Sequence, residues 1–305
     1  MDEPTRAGFA AVIGAPNAGK STLVNALVGR KVSIVTPKVQ TTRFQVRGVM
    51  IHGRAQIVLV DTPGVFAPRR RLDRAMVASA WEGANDADAI VHVVDAAAQL
   101  QGGGRTAQDV ERVIEGLKSH DHKAVLVLNK IDLIKRDELL ALSQTLFETG
   151  VYGDVFMISA SRGEHIADLA EHLATVMPES PWLYPEDQIA DLSERLLAAE
   201  VTREKLFLRV HEELPYALTV ETDTWKELRD GSVRIEQTVF VEREGHRPII
   251  LGKDGQTAKW VGKAAREELE EQLGRKVHLF LFVKVRPKWG EDRERYRAMG
   301  LDFDV

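Results

Sequence analysis

The stretch Gly14–Ser21, GAPNAGKS, restricts the fold of this chain more than any other segment. It follows the short apolar run Phe9–Ile13 and precedes a helix-compatible run, Ser21–Leu27. A G-x-x-x-x-G-K-S loop between strand and helix is a phosphate loop. Its backbone N–H groups and the positive end of the helix supply donors to phosphate oxygens. Gly14, Ala15, Pro16, Asn17, Ala18, Gly19, Lys20, Ser21 and Thr22 are the expected contacts. Lys20 is expected to reach the β- and γ-phosphates, and the Ser21 hydroxyl to ligate Mg2+.

Such a loop belongs on a parallel sheet, and the first half of the chain supplies one. Apolar blocks at Phe9–Ile13, Gln56–Val60, Ala89–Val94, Ala124–Leu128 and Val155–Ile158 read as strands covered on both faces. Amphipathic runs at Leu72–Trp81, Thr106–Ser119 and Asp137–Glu148 alternate with them. This is the grammar of a doubly wound α/β domain with a mixed, mostly parallel sheet. Arg43–Met50 is expected to add an antiparallel edge strand. Val176–Gln188 holds three prolines and closes this domain. The expected division is 1–178 for the first domain, 179–188 for a linker and 189–305 for the second.

Beyond the linker the pattern changes. Ile189–Glu213 reads as one long helix. Tyr216–Leu228 and Ser232–Glu244 read as strands joined near RDGS, a hairpin signal. Arg247–Leu251 and Gln256–Leu273 read as helices on either side of GKDG, and Val277–Val285 as a strand. That order cannot continue the first sheet, so it predicts a separate, smaller α+β domain. With 305 residues, 44% of them hydrophobic, the chain can build a core in each half.

Three further stretches select among phosphate-loop proteins. DTPG, Asp61, Thr62, Pro63 and Gly64, ends the second buried strand; Asp61 can hold the magnesium shell and the Gly64 N–H can sense a γ-phosphate. NKID places Asn129, Lys130 and Asp132 at another strand end, where open α/β sheets bind ligands. A carboxylate such as Asp132 can accept from the N1–H and 2-amino group of guanine, donors that adenine lacks. Ser159, Ala160 and Ser161 follow the next strand, with backbone available to the guanine carbonyl. The ordered set resembles the translation-factor-like GTPases. That resemblance makes Thr41 or Thr42 the switch threonine that closes on Mg2+ and γ-phosphate, with Thr42 preferred. Lys20, Thr42 and Gly64 are then the expected catalytic groups. One departure stands out: Val65 follows Gly64, where Ras-like proteins carry the glutamine that orients water. Slow intrinsic hydrolysis is therefore expected, assisted by another group, a partner or a monovalent cation. Asn17 matches the asparagine that GTPases of this broader group use to bind potassium.

An isolated G-x-x-G such as Gly252–Gly255 ordinarily marks a corner between helices. Here it follows a helix and two strands and precedes a long helix and a last strand, the type II KH arrangement, in which the loop clamps single-stranded backbone. Gly252, Lys253, Asp254 and Gly255 form the loop. Lys259 and Lys263 add charge, and Ile249, Ile250 and Trp260 are expected to line the base-facing groove, with Val261 in the core. A GTPase domain followed by this module resembles the Era family nearly end to end. GAPNAGKSTLVNALVG, ELPYALTVE, VFVEREGHRPIILGKDG and KVRPKWGEDRERYRAMG all follow its pattern. The resemblance implies a GTP/GDP switch that binds the 3′ end of small-subunit (16S) ribosomal RNA and assists small-subunit assembly. It also implies RNA binding favoured by GTP, and for some members peripheral contact with the inner membrane. Asp254 departs from the pattern, placing negative charge where relatives carry Lys or Gly, and is expected to weaken phosphate contact locally.

The remaining features set limits. A net charge of −5 excludes a wholesale nucleic-acid coat but not a local basic groove. No cysteine is present, so there are no disulfides or thiolate metal sites. No apolar run approaches the ~20 residues of a spanning helix, which predicts a cytosolic or peripheral protein; a monomer is expected. His92 reads as a core histidine, Arg69–Arg71 as a solvated loop face, and the Gln101–Arg105 glycine run as a surface loop. Two other readings compete: an RNA scaffold gated by nucleotide, and a relative acting on the large subunit or on tRNA modification.

Overall fold

The computed structural model describes residues 4–102, 104–211 and 213–305; Gly103 of the glycine run and Glu212 of the predicted long helix lie outside these. In chain order, the first part runs β1 (Arg6–Ile13), α1 (Lys20–Val28), β2 (Val46–His52), β3 (Ala55–Asp61), α2 (Arg71–Asn85) and β4 (Ala89–Asp95). It continues α3 (Ala96–Leu100), α4 (Arg105–Ser119), β5 (Ala124–Asn129), α5 (Arg136–Phe147), β6 (Tyr152–Met157) and α6 (Ile166–Val176). The sheet order is β2-β3-β1-β4-β5-β6, with β2 antiparallel to β3 and the other neighbours parallel.

Alternation along each strand explains why the central strands read as unbroken apolar runs. On β1, Ala10 and Val12 join one core with Leu23 and Val24 of α1 and Leu169 and Leu173 of α6. Ala11 and Ile13 join the opposite core with Ala80 of α2, Val113 and Leu117 of α4 and Leu142 of α5. β4 and β5 divide in the same way, so neither face is left for polar residues. His92, fully buried on β4, is held by the Tyr152 hydroxyl at 2.8 Å. Burial, with Lys20 adding to it, pushes this imidazole down to about 3, so it is a neutral core group. Because the strands are parallel, all their C-terminal ends open on one edge, where ligand loops collect.

The second part begins later than its sequence suggests. Residues 189–191 are extended along β2: Val49 N donates to Ile189 O at 2.9 Å and Asp191 N to Arg47 O at 3.0 Å. α7 starts only at Glu194 and ends at Arg209, with the Ser193 hydroxyl accepting from Leu196 N. Then follow β7 (Leu218–Glu227), β8 (Val233–Val241), α8 (His246–Leu251), α9 (Gln256–Leu273), β9 (Val277–Val285) and α10 (Arg293–Ala298). Tyr216 lies in a single-turn helix before β7 rather than in the strand. β8 pairs antiparallel with β7 and parallel with β9. Leu206 and Phe207 of α7, Val239 of β8, Ile250 of α8 and Val261 of α9 share its core.

By contacts the chain divides into two units: residues up to Val35 with Thr42–Asp191 and Tyr296–Val305, and Thr36–Thr41 with Leu192–Arg295. The placement of 179–191 in the first unit has a specific cause. Gln56, fully buried on β3, accepts from Leu183 N and Tyr184 N at 2.8 and 2.9 Å and donates to Tyr184 O at 2.8 Å. Gln56→Leu would strand two main-chain donors and one acceptor, costing about 2–4 kcal/mol by the usual penalty for orphaned buried groups. Amide exchange at Leu183 and Tyr184 should accelerate in this variant; unchanged exchange would refute the anchoring role.

Candidate nucleotide and RNA sites

The phosphate loop is shaped by close backbone approach. Gly14 has φ 149°, and a Cβ there would lie 2.3 Å from the Val93 carbonyl oxygen. Val65 N donates to Gly14 O at 3.0 Å, joining the DTPG turn to the loop. A Cβ at Gly64 would lie 2.9 Å from the Pro16 ring. Ala15 and Ala18 are buried, while Asn17 is exposed with a left-handed φ of 62°. Lys20 is 6% exposed, and its ammonium donates to Gly14 O and Ala15 O at 3.1 and 2.9 Å. Burial pushes it down to about 8, although the Asp61 charge opposes the shift.

Beside Lys20 a set of oxygens converges. Ser21 donates to Asp61 Oδ2 at 2.7 Å and lies 3.0 Å from the Thr42 hydroxyl. Thr42 Oγ1 is 3.4 Å from the same carboxylate oxygen. Asp61 is fully buried; burial raises its carboxyl, opposed by the Ser21 hydrogen bond and Lys20. Its Oδ1 has no hydrogen-bond partner among the described residues. Two hydroxyls and a carboxylate, with one carboxylate oxygen unspent, form a hard-oxygen donor set that fits Mg2+. Thr41 is not part of it: its hydroxyl donates to Lys38 O at 2.8 Å. Thr62 is also committed elsewhere, to Val12 O at 2.8 Å.

The predicted base loops meet at Asn129. Its amide donates to Ala18 O at 2.9 Å, and its oxygen accepts from Lys130 N and Ala160 N at 2.8 and 3.0 Å. Asn129 therefore works as a brace between phosphate loop and base loops. Lys130, at φ 65°, donates to Asn17 O and to Asp95 at 2.9 and 2.5 Å. Asp132 accepts from the Ser159 hydroxyl at 2.7 Å, which chiefly holds it below the usual carboxylate range, and meets Arg162 at 3.4 Å. Ser161 Oγ lies 3.4 Å from Ser159 Oγ. Asp95 and Arg162 are the participants that sequence reading missed. Asp95 was legible as the polar end of β4, whereas Arg162 lies in no motif.

In the second unit, Gly252 has φ 71° and ψ 173°, a region reserved for glycine, and a Cβ would lie 2.3 Å from the Thr257 hydroxyl. Gly255, at φ 74°, opens α9. Asp254 between them is left-handed at φ 53°, which a short Asp tolerates better than most residues. Lys253, Asp254 and Lys259 are exposed, and Lys259 donates to Asp254 O at 3.3 Å. Lys263 is exposed and pairs with Glu267 at 3.7 Å. Ile249 is 54% and Trp260 41% exposed, the latter beneath the Arg209 guanidinium. Ile250 corrects its expected place in the groove: at 1% exposure it is core, because adjacent residues of a helix point about 100° apart and cannot share one face. Val261 is buried as expected.

A mostly parallel sheet with this loop, DTPG and NKID at its strand ends defines a P-loop GTPase domain, and the second unit is a type II KH module. Residues 9–130 match a family described as 50S ribosome-binding GTPase, and residues 213–290 a KH domain. The chain is 66% identical to GTPase Era of Caulobacter vibrioides, covering 99% of this chain and 98% of the relative. It is 63% identical to GTPase Era of Maricaulis maris, covering 100% and 99%. A solved structure of Era in complex with MgGDPNP and nucleotides 1506–1542 of 16S ribosomal RNA matches at TM-score 0.90 and 37% identity, covering 99% of this chain and 100% of that one. The chain belongs to the Era GTPase family and is a GTP-hydrolysing enzyme.

The buried ammonium makes nucleotide binding pH-dependent with a definite sign. Lys20 sits at about 8 rather than 10.5, so the free protein loses this proton as pH rises through 8. Phosphate contact must restore it, and affinity for GDP should fall by up to about tenfold per pH unit above that point while staying flat below it. Calorimetric titrations between about pH 7 and 9.5 test this; a flat profile throughout would overturn it.

Proposed function

We propose that this chain is a GTP-driven switch that binds the 3′ end of 16S ribosomal RNA and assists assembly of the small ribosomal subunit. The observation that carries this reading is the agreement, over 99% of the chain, with an Era structure holding both MgGDPNP and a 16S segment. The separate geometry of the two units supports it: a phosphate loop with a hard-oxygen set in one, an open glycine clamp in the other. Ser21, Thr42 and Asp61 would hold Mg2+, which supplies positive charge against the β- and γ-phosphate oxygens. Lys20 pairs with the same oxygens, the Gly64 N–H senses the γ-phosphate, and the Asp132 carboxylate reads guanine. Val65 is buried at 3% exposure and presents no polar group, which supports slow intrinsic hydrolysis. Asn17, exposed on the phosphate loop, is the residue we assign to potassium.

In the KH unit, Lys253, Lys259 and the Gly252 and Gly255 backbone face the RNA phosphates, with Ile249 and Trp260 beneath the bases. Among the described residues no helix is long and apolar enough to cross a membrane. The place of action we propose is the cytoplasm, as a monomer, with any contact with the inner membrane peripheral.

Crosslinking with sequencing of the bound RNA, with a GTP analogue and with GDP, tests RNA identity and nucleotide coupling together. Recovery of large-subunit precursor RNA instead would reject the proposal. Asp132→Asn should shift preference from GTP toward XTP by more than about tenfold, as expected when a charged hydrogen-bond pair worth about 1.5–3 kcal/mol is lost; an unchanged ratio refutes base reading by this residue. Asp254→Gly should tighten RNA binding and steepen its salt dependence, because it removes a carboxylate without straining the left-handed turn. Ile250→Ala should cost about 2–5 kcal/mol of stability as a core truncation, whereas Ile249→Ala should weaken RNA binding with stability nearly intact.

A further inference from the structure

Four cations lie along α7, and three of them are spent on the KH unit itself. Arg195 donates to Thr222 O and Asp223 O, each at 2.8 Å. Arg203, 1% exposed, pairs with Glu200, and Lys205 pairs with Glu204 and Glu268. Arg209, in the last turn, differs from these. It is exposed, and among the described residues no carboxylate pairs with it. Its guanidinium lies instead over the Trp260 ring, 5.4 Å from the centroid.

A surface cation over tryptophan is, taken alone, a packing detail. This one stands one helical turn from the glycine clamp. α9 opens at Gln256, directly after Gly255, and residues four apart on a helix share a face. Trp260 therefore lies under Gln256, the first residue past the loop, while the next position, Val261, turns into the core. Lys259, on the exposed side, reaches back to Asp254 O at 3.3 Å. The Trp260 side chain keeps 41% of its surface open with Arg209 laid on it.

We propose that Arg209, stacked on Trp260, is a further RNA-binding residue that extends the footprint of the KH unit past its clamp: a single strand leaving the loop crosses Trp260, and its next phosphate meets the guanidinium. This rests on the reading of the second unit as an RNA binder. A guanidinium held flat on a ring keeps its N–H edge directed outward, where it meets phosphate oxygens in pairs. Aromatic rings along a cationic path hold single strands without reading their sequence. The contact also offsets a local deficit, since Asp254 sets a carboxylate within the clamp.

Binding of a fluorescent single-stranded RNA of 3′-terminal 16S sequence to the full chain, with a non-hydrolysable GTP analogue present, is measured across a salt series. Wild type is compared with Arg209→Ala, Arg209→Lys, Trp260→Leu, the Arg209→Ala/Trp260→Leu double variant and Lys253→Ala, each checked by thermal melting. Should Arg209→Ala melt early, Arg209→Gln carries the same comparison. Losing one phosphate contact should make the logarithmic salt slope shallower by about 0.7, a loss of about fivefold in affinity at 0.1 M salt that fades as salt rises. Arg209→Lys keeps the charge without the flat stack, and should keep the slope while losing part of the affinity. Arg209→Ala should cost less in the Trp260→Leu background than in wild type, because the two side chains form one contact. On a strand of about four nucleotides, the length the clamp itself holds, Arg209→Ala and wild type should bind alike. A wild-type salt slope in Arg209→Ala, or an equal loss on the short strand, overturns the proposal while a weakened Lys253→Ala leaves the RNA reading standing. If Lys253→Ala and Arg209→Ala both bind as wild type does, the RNA reading of this unit fails and the proposal falls with it.

Discussion

The carboxamide of Asn129 is the contact on which the nucleotide edge of the sheet depends. One side chain at the end of β5 spends one donor and both acceptor positions on Ala18, Lys130 and Ala160. It thereby joins three loops that come from three different strands. The same loops are tied a second time by Lys130 on Asn17 O and by the Ser159 hydroxyl on Asp132, but only Asn129 reaches all three at once. A group with a donor and an acceptor on one rigid plane does what neither a carboxylate nor a lysine can. The steric need for glycine at 19 follows, because a Cβ there would lie 2.2 Å from the Asn129 amide nitrogen.

Electrostatics of the site are set by burial more than by pairing. Lys20 and Asp61 are both removed from water, and each is pushed toward its neutral form despite the charge of the other. A buried pair of this sort contributes little net stability, since desolvation offsets the Coulomb attraction. It makes sense as a poised site, where a polyanion and a divalent cation supply the missing compensation. Asp132 is the contrast: its side chain is only 10% exposed, yet the Ser159 hydroxyl holds its carboxyl below the usual range and keeps it an ionised acceptor. The same edge thus presents a charge-hungry end and an ionised acceptor.

Most of the site was legible because its motifs sit at strand ends, where chain direction alone brings them together. What escaped reading depended on partners distant in sequence. Gln56 looked like one more residue of a buried strand, yet it holds Leu183 and Tyr184. Those anchors, with the pairing of residues 189–191 along β2, delay α7 until Glu194, although the apolar spacing from Ile189 suits a helix. Arg162 reaches Asp132 from a loop without a pattern. Ile249 and Ile250 are chemically alike, and only the direction of a short helix separates the exposed one from the core.

Residue order by itself determined the classes of both units, the phosphate loop, the Asp132 acceptor at a strand end and the Gly252–Gly255 turn, because each depends on local backbone geometry and on short, ordered spacings. Tertiary structure decided which of two adjacent threonines faces Ser21 and Asp61, and which carbonyl Arg203 holds. Neighbours on an extended loop point in different directions, and their sorting requires partners 19 and 21 residues away for Thr42 and 162 away for Thr41, distances over which periodicity carries no information.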